Sequence, residues 1–152
     1  MKFIVTHEVG KLAKWLRILG FDTVYQKKDD KRELVLKSLR EDRIVVSRNQ
    51  TLARYTGIRL VHISSDVLKE QLAQLKDELG IFISEERMFT RCVLCNDVLH
   101  PITKEEVKGK VPVFVYDDNE SFVECPTCKK IYWRGTHWGN VKEATRKLTN
   151  TV

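Results

Sequence analysis

The first half of the chain alternates between two hydrophobic spacings. Continuous apolar runs at Phe3-Ile4-Val5, led in by Lys2, and at Ile44-Val45-Val46 have the length and character of strands buried on both faces. Residues 22–25 and 58–63 read as two further strands. Between the strands the spacing turns helical. Leu12, Trp15, Leu16 and Leu19 fall on one face of a helix over 9–19, closed by Gly20, while Lys11, Lys14 and Arg17 recur every third residue as a basic stripe elsewhere on it. A second helix over 32–40 follows an aspartate cap, and a short helical piece covers 50–55 before Gly57. A longer helix over 67–79 places Leu68, Leu72, Leu75 and Leu79 on one face behind Ser65 or Asp66 as cap. Strands alternating with helices predict an α/β fold: a parallel sheet with helices on both faces and right-handed crossovers.

The pattern changes near residues 85–90. Beyond it, 111–116, 122–124 and 131–133 read as short strands, with Asp117-Asp118-Asn119 as a hairpin turn and 141–148 as a closing helix. All four cysteines lie in this half, as Cys92-Val-Leu-Cys95 and Cys125-Pro-Thr-Cys128. Two such knuckles can direct four sulfurs at one metal, and an all-thiolate tetrahedron suits Zn²⁺, or Fe as the second choice. With no position left for water, the metal would be structural. Two disulfides or a redox pair are the alternatives, which an oxidising compartment would favour. The expected organisation is an α/β domain over 1–88 and a C-terminal four-cysteine zinc ribbon with its helix over 89–152. A ribbon of that size buries too little apolar surface to fold without its metal.

Composition narrows the function classes. No apolar run approaches membrane-spanning length and no secretory signal opens the chain, so the expectation is a cytoplasmic protein without a membrane partner. The net charge of +6, with pI ≈ 9.2, makes an acidic partner plausible. Cations concentrate late: Lys129, Lys130, Arg134, Lys142, Arg146 and Lys147 stand against Glu143 alone over 129–147. Part of that excess would balance a dianionic four-thiolate site.

In an open parallel sheet, ligands bind beyond the carboxyl ends of the strands. Those ends carry Thr6-His7-Glu8, the stretch through Asp29-Asp30, and Ser47-Arg48-Asn49. Carboxylates converging there could hold Mg²⁺ or Mn²⁺ for phosphodiester cleavage. Helix capping by Glu8, Asp29 and Asp30 is the competing explanation.

At this point the chain resembles a known family: the PIN-like RNase domain named for the C-terminal part of the Mut-seven exonuclease, which carries an embedded zinc ribbon. The resemblance rests on Lys2-Phe3-Ile4-Val5, Gly10-Lys11-Leu12-Ala13-Lys14-Trp15-Leu16-Arg17, Leu19-Gly20-Phe21-Asp22-Thr23 and Val46-Ser47-Arg48-Asn49. It continues through Arg91-Cys92, Cys95-Asn96, Glu105-Glu106-Val107, and Cys125 to Tyr132-Trp133-Arg134-Gly135-Thr136-His137-Trp138. It implies a PIN-like sheet and an RNase centre with an aspartate at the end of the first strand and another after the third. This chain has Thr6 and Asn49 there.

The leading expectation is therefore an RNA-binding protein whose metal-dependent centre has eroded, serving as an accessory component of a ribosome or other RNA particle. Gly10, Lys11, Lys14, Arg17, Arg48, Arg134, His137 and Trp138 would contact RNA, and Cys92, Cys95, Cys125 and Cys128 would hold structural zinc. In the alternative, an active Mg²⁺/Mn²⁺ endoribonuclease, the catalytic set would be Glu8, Asp22, Asp29, Asp30 and Asn49. A protein-interaction module with merely solubilising cations is the third reading. His62 is expected to pack within its strand, and His7 carries little information.

Overall fold

The computed structural model describes residues 1–135, 143 and 145–147. The first strand, β1 (Lys2–Thr6), lies inside a four-stranded sheet of order β2-β1-β3-β4, with β2 at Asp22–Gln26, β3 at Ile44–Ser47 and β4 at Leu60–His62. Every pairing in it is parallel. Alternation along β1 and β3 divides their side chains between two cores. Phe3, Val5, Ile44 and Val46 face α1 (Gly10–Ile18) and α3 (Leu68–Leu79), meeting Leu12, Leu16, Leu72 and Leu75. Ile4 and Val45 face the other way, onto Leu34 of α2 (Lys31–Glu41) and Leu52 of a 3-10 turn at Gln50–Arg54. The sheet is thus covered on both faces, which is why its central strands tolerate unbroken apolar runs.

Local chemistry sets the ends of these elements. Asp30 caps α2, its carboxylate accepting from the Glu33 amide at 2.9 Å, an interaction of about 1 kcal/mol. Gly20, at φ 86°, ends α1 in the left-handed region, and a Cβ there would lie 2.2 Å from the Arg87 carbonyl oxygen. Any other residue would force apart α1 and the segment that returns across it, where the Phe89 amide donates to the Ile18 carbonyl. The cap of α3 departs from expectation: Val67 is the N-cap residue, and Ser65 acts one step earlier by accepting from the Val67 amide.

The second unit is a three-stranded antiparallel sheet of order β5-β6-β7, formed by His100–Ile102, Phe122–Glu124 and Ile131–Trp133. Two short helices, α4 (Lys104–Val107) and α5 (Val113–Asp118), lie between β5 and β6. Here the expectation of a strand over 111–116 fails. Val-Pro-Val-Phe-Val-Tyr is strand-like by propensity, yet Pro112 sits at the N-cap and the Tyr116 amide turns back to its carbonyl. The inward residue Val115 packs with Val107 and Phe122, whereas Val113 and Phe114 stay exposed. Tertiary packing overrides propensity. Asp117 and Asp118 accordingly end a helix rather than forming a hairpin turn, and Asn119 donates to the Val115 carbonyl. Strand β5 carries Pro101 and went unread in the sequence. Of the closing helix expected over 141–148, Glu143, Thr145, Arg146 and Lys147 are helical, with an ion pair of 2.9 Å between Glu143 and Lys147; its other residues lie outside those described. Among the described residues no helix is long and apolar enough to cross a membrane.

Candidate functional site

The two knuckles fold by the same rule. In each, the amide of the first cysteine donates to the carbonyl five residues on, Cys92 to Asp97 at 2.8 Å and Cys125 to Lys130 at 3.0 Å. The residue after the second cysteine, Asn96 at φ 70° or Lys129 at φ 62°, turns left-handed and donates its amide back to the first cysteine's carbonyl. This reversal brings both sulfurs of a pair to the same side. All four Sγ atoms lie within 4.8 Å of one another, and no two are bonded. A tetrahedron with metal–sulfur bonds of roughly 2.3 Å has edges of about 3.8 Å; Cys92 Sγ and Cys128 Sγ are 3.7 Å apart. The four cysteines are positioned to bind a metal ion such as zinc.

Without a metal the thiols of Cys92, Cys95 and Cys125 do not ionise alike. Burial opposes the Cys92 thiolate, but the Tyr132 hydroxyl and the Cys95 and Leu94 amides outweigh it and bring its pKa down to about 7. Cys95, hydrogen-bonded to Cys128 and beside the Cys92 charge, is pushed up to about 12. Burial raises Cys125 as well. A dication removes this mutual repulsion, so metal binding and proton release are coupled.

The first knuckle is fastened to the α/β unit by groups from α1 and β2. Arg17, 9% exposed, donates through Nη1 to the carbonyls of Val93 (2.8 Å) and Leu94 (2.9 Å) and through Nε to that of Thr23 (2.9 Å). The amide side chain of Asn96 accepts from the Thr23 amide and donates to Asp22, both at 2.8 Å. Asp22 also takes a 2.7 Å bond from buried Arg43. Burial of the Asp22 carboxyl works against its charge, yet Arg43 and Asn96 hold its pKa below the ordinary value.

These contacts correct two expectations. Asp22 begins β2, opposite Lys2, whereas Thr6 lies opposite Gln26 at the other end of the pair. Asp22 therefore cannot join a centre at the carboxyl ends of the strands; it anchors the ribbon. Arg17 does not present its guanidinium to solvent either, because three backbone carbonyls occupy it. Asn96 and Arg43 were missed by sequence reasoning. Asn96 had one signal: its place directly after a knuckle, where asparagine tolerates the left-handed turn.

The remaining candidates gather at the carboxyl ends. Thr6, Glu8, Asp29, Asp30, Ser47 and Asn49 line one narrow cleft with a cavity volume of ≈ 10 Å³, together with His7, Gln26, Lys28 and Lys31. Its polar groups bond to one another. Thr6 Oγ1 donates to Ser47 Oγ at 2.9 Å, and Ser47 Oγ donates to Glu8 Oε1 at 3.2 Å while accepting from the Asn49 amide at 3.0 Å. Partial burial opposes the Glu8 charge, but Thr6, its own backbone amide, His7 and Ser47 together depress its pKa. Asn49 caps the following 3-10 turn, its Oδ1 accepting from both the amide (3.0 Å) and the hydroxyl (2.7 Å) of Thr51. Asp30 is the α2 cap, and Asp29 is exposed. Ser47, buried and central to this network, was missed as a participant because a serine ending an apolar strand has no distinctive pattern.

The basic candidates separate into different surroundings. Lys11 and Lys14 are exposed on α1. Gly10 lies under the Tyr25 hydroxyl, which a Cβ would approach to 3.0 Å. Arg48 pairs with Asp66, and its carbonyl meets His62 Nε2 at 2.9 Å, giving His62 the structural role expected of it. Arg134 is exposed beside β7; Trp133 is 36% exposed, while Tyr132 Oη sits 3.2 Å from Cys92 Sγ. His137 and Trp138 lie outside the described residues.

Neither the comparison with curated proteins nor that with solved structures finds a match. The family model of the Mut7-C RNAse domain matches residues 1–145, nearly the whole chain, and the protein belongs to that family.

Proposed function

We propose that the protein binds RNA without cutting it, as a member of this RNase family whose metal-dependent centre has eroded. The observation that carries the reading is the hydrogen-bond chain Thr6–Ser47–Glu8 with Asn49 turned away onto Thr51. Phosphodiester cleavage by Mg²⁺ or Mn²⁺ needs anionic oxygens free to converge on the ion. Here neutral groups stand at both expected aspartate positions, Glu8 is bonded inward, and Asp30 is occupied by a helix amide. The donor set does not fit a catalytic divalent ion.

What remains of the family's surface favours RNA: the basic face of α1, the net positive charge, and aromatic and cationic residues after the second knuckle. On this reading the four cysteines hold structural zinc, 1–88 and 89–152 are the two folding units, and the protein serves inside a ribosome or another RNA particle in the cytoplasm. The endoribonuclease reading keeps one supporting observation, that Glu8, Asp29, Asp30 and Asn49 line the same cleft.

A binding and cleavage assay on single-stranded and structured RNA, with and without Mn²⁺ and across a salt series, separates the two. The binder retains affinity in EDTA-free buffer lacking divalent ions, loses it steeply with salt, and leaves the RNA intact. Mn²⁺-dependent cutting that disappears in Asp30→Asn would establish the nuclease instead.

A further inference from the structure

The first knuckle and α1 enclose a second cleft, of ≈ 390 Å³, that differs in chemistry from the one at the strand ends. Lys11, Lys14 and Lys27, with the buried Arg17, supply its charge, and no carboxylate among the described residues lines it. None of the three lysines has an ion-pair partner among the described residues. Facing them, Leu94 at the tip of the knuckle is 58% exposed. An apolar side chain is held out there because Arg17 grips the Val93 and Leu94 carbonyls from below, fixing the knuckle's backbone against α1. The half-buried Tyr25 forms the rest of the neutral wall, its hydroxyl resting over Gly10.

Cations on one wall and apolar surface on the other match a nucleotide, whose phosphates and base make the same division. The volume exceeds the roughly 300 Å³ at which small-molecule clefts begin, so the space takes more than a lone phosphate. Its position also matters. The strand-end cleft includes Glu8 and Lys28, and this one begins at Gly10 and Lys27. A single strand lying along the first would continue into the second. Resting on the RNA-binding reading above, we propose that the cleft between α1 and the first knuckle binds a nucleotide of single-stranded RNA, with the backbone phosphates on Lys11, Lys14 and Lys27 and the base against Leu94 and Tyr25.

The test is fluorescence anisotropy of a short labelled oligouridylate on the metal-loaded full chain, with inorganic polyphosphate as the competing probe. Lys14→Glu and Leu94→Ser are compared with Arg40→Glu, which alters an exposed cation on α2 in the opposite layer, and thermal melts check that each variant is folded. Lys14→Glu is expected to weaken oligouridylate about ten-fold and to reduce the slope of log affinity against log salt by about 0.7. Leu94→Ser is expected to weaken it about five- to ten-fold while leaving polyphosphate unaffected, and Arg40→Glu to change neither. If the wild type binds the oligonucleotide but Lys14→Glu and Leu94→Ser bind it equally well, the cleft is not the site, although RNA binding stands. If Lys14→Glu weakens both probes and Leu94→Ser weakens neither, the cleft is a general anion site and base recognition is refuted. Failure of the wild type to bind any RNA removes both this proposal and the reading beneath it.

Discussion

The cysteine cluster and the strand-end cleft are both places where side chains of this fold could meet a metal, and they are built in opposite ways. In the cluster, backbone hydrogen bonds make the turns and leave the sulfurs facing one another within 4.8 Å. In the cleft, side chains make the hydrogen bonds themselves: Thr6, Ser47 and Glu8 bond in a chain, and the Asn49 side chain is taken up by Thr51. A site organised by backbone keeps its ligand atoms available. One organised by its own polar side chains is already satisfied, and a metal must first break those bonds. The difference turns on which atoms hold the turn, not on how many polar residues are nearby.

Metal removal tests the first half of this contrast and should have the largest effect. Structural zinc contributes about 10–16 kcal/mol in small metal-dependent folds, far more than the cluster around Cys92, Leu99 and Cys125 could supply by packing. Chelation, or Cys125→Ser, should abolish hydrogen-exchange protection across β5, β6 and β7 while β1 and β3 keep theirs, because the α/β core is separate. Unchanged protection of the ribbon amides after complete chelation would overturn the structural role of the metal.

The same contrast explains what could be read from the sequence. Strands β1 and β3 and helices α1, α2 and α3 were legible because each buries a face wide enough to impose a period. The cysteine spacing was legible because a knuckle is local. The error at α5 arose where Val115 alone decides which way a strand-like segment folds, through contacts with Val107 and Phe122. Asp22 and Arg17 were misassigned for a related reason. A charged residue next to a conventional surface stripe looks solvated until another segment, here residues 93–96, arrives to bury it. Ser47 shows the limit from the other side: its partners Thr6 and Glu8 come from a different strand end, and no spacing within one segment encodes that meeting.

The anchor between the two units gives an intermediate effect with a distinctive pH dependence. Asp22→Asn removes one of the two carboxylates paired with buried Arg43, leaving Glu41, and weakens the bond to Asn96, a loss of about 2 kcal/mol at neutral pH. Because Arg43 and Asn96 depress the Asp22 pKa in the folded protein, its contribution is complete above the unfolded value of about 3.9. It disappears as pH falls through the lower folded value. Urea unfolding of both proteins should therefore show a gap in stability that is widest near pH 7 and closes below about pH 4. Acid-driven metal loss unfolds the ribbon and takes the Asn96 bond with it, so the part of the gap that reports Asp22 itself is the pair with Arg43, which lies wholly within the α/β unit. A gap independent of pH would mean that Asp22 acts by shape rather than charge.

The smallest expected effect is the most direct test of whether the hydrogen bonds of the strand-end cleft keep a metal out. Replacing Thr6 with Asp removes the hydroxyl that donates to Ser47, and Asn49→Asp introduces a second carboxylate at the same mouth. In metal-free buffer the double variant should be slightly less stable than wild type, since the new acids repel Glu8. Mn²⁺ should then stabilise it by roughly 1 kcal/mol when present at several times its dissociation constant, and should leave the wild type unmoved. The comparison of melting temperature with and without Mn²⁺, in both proteins, isolates metal binding from any change in folding. Stabilisation of the wild type to the same extent would show that its hydrogen-bonded side chains yield to a metal after all, and the distinction drawn between the two sites would fail.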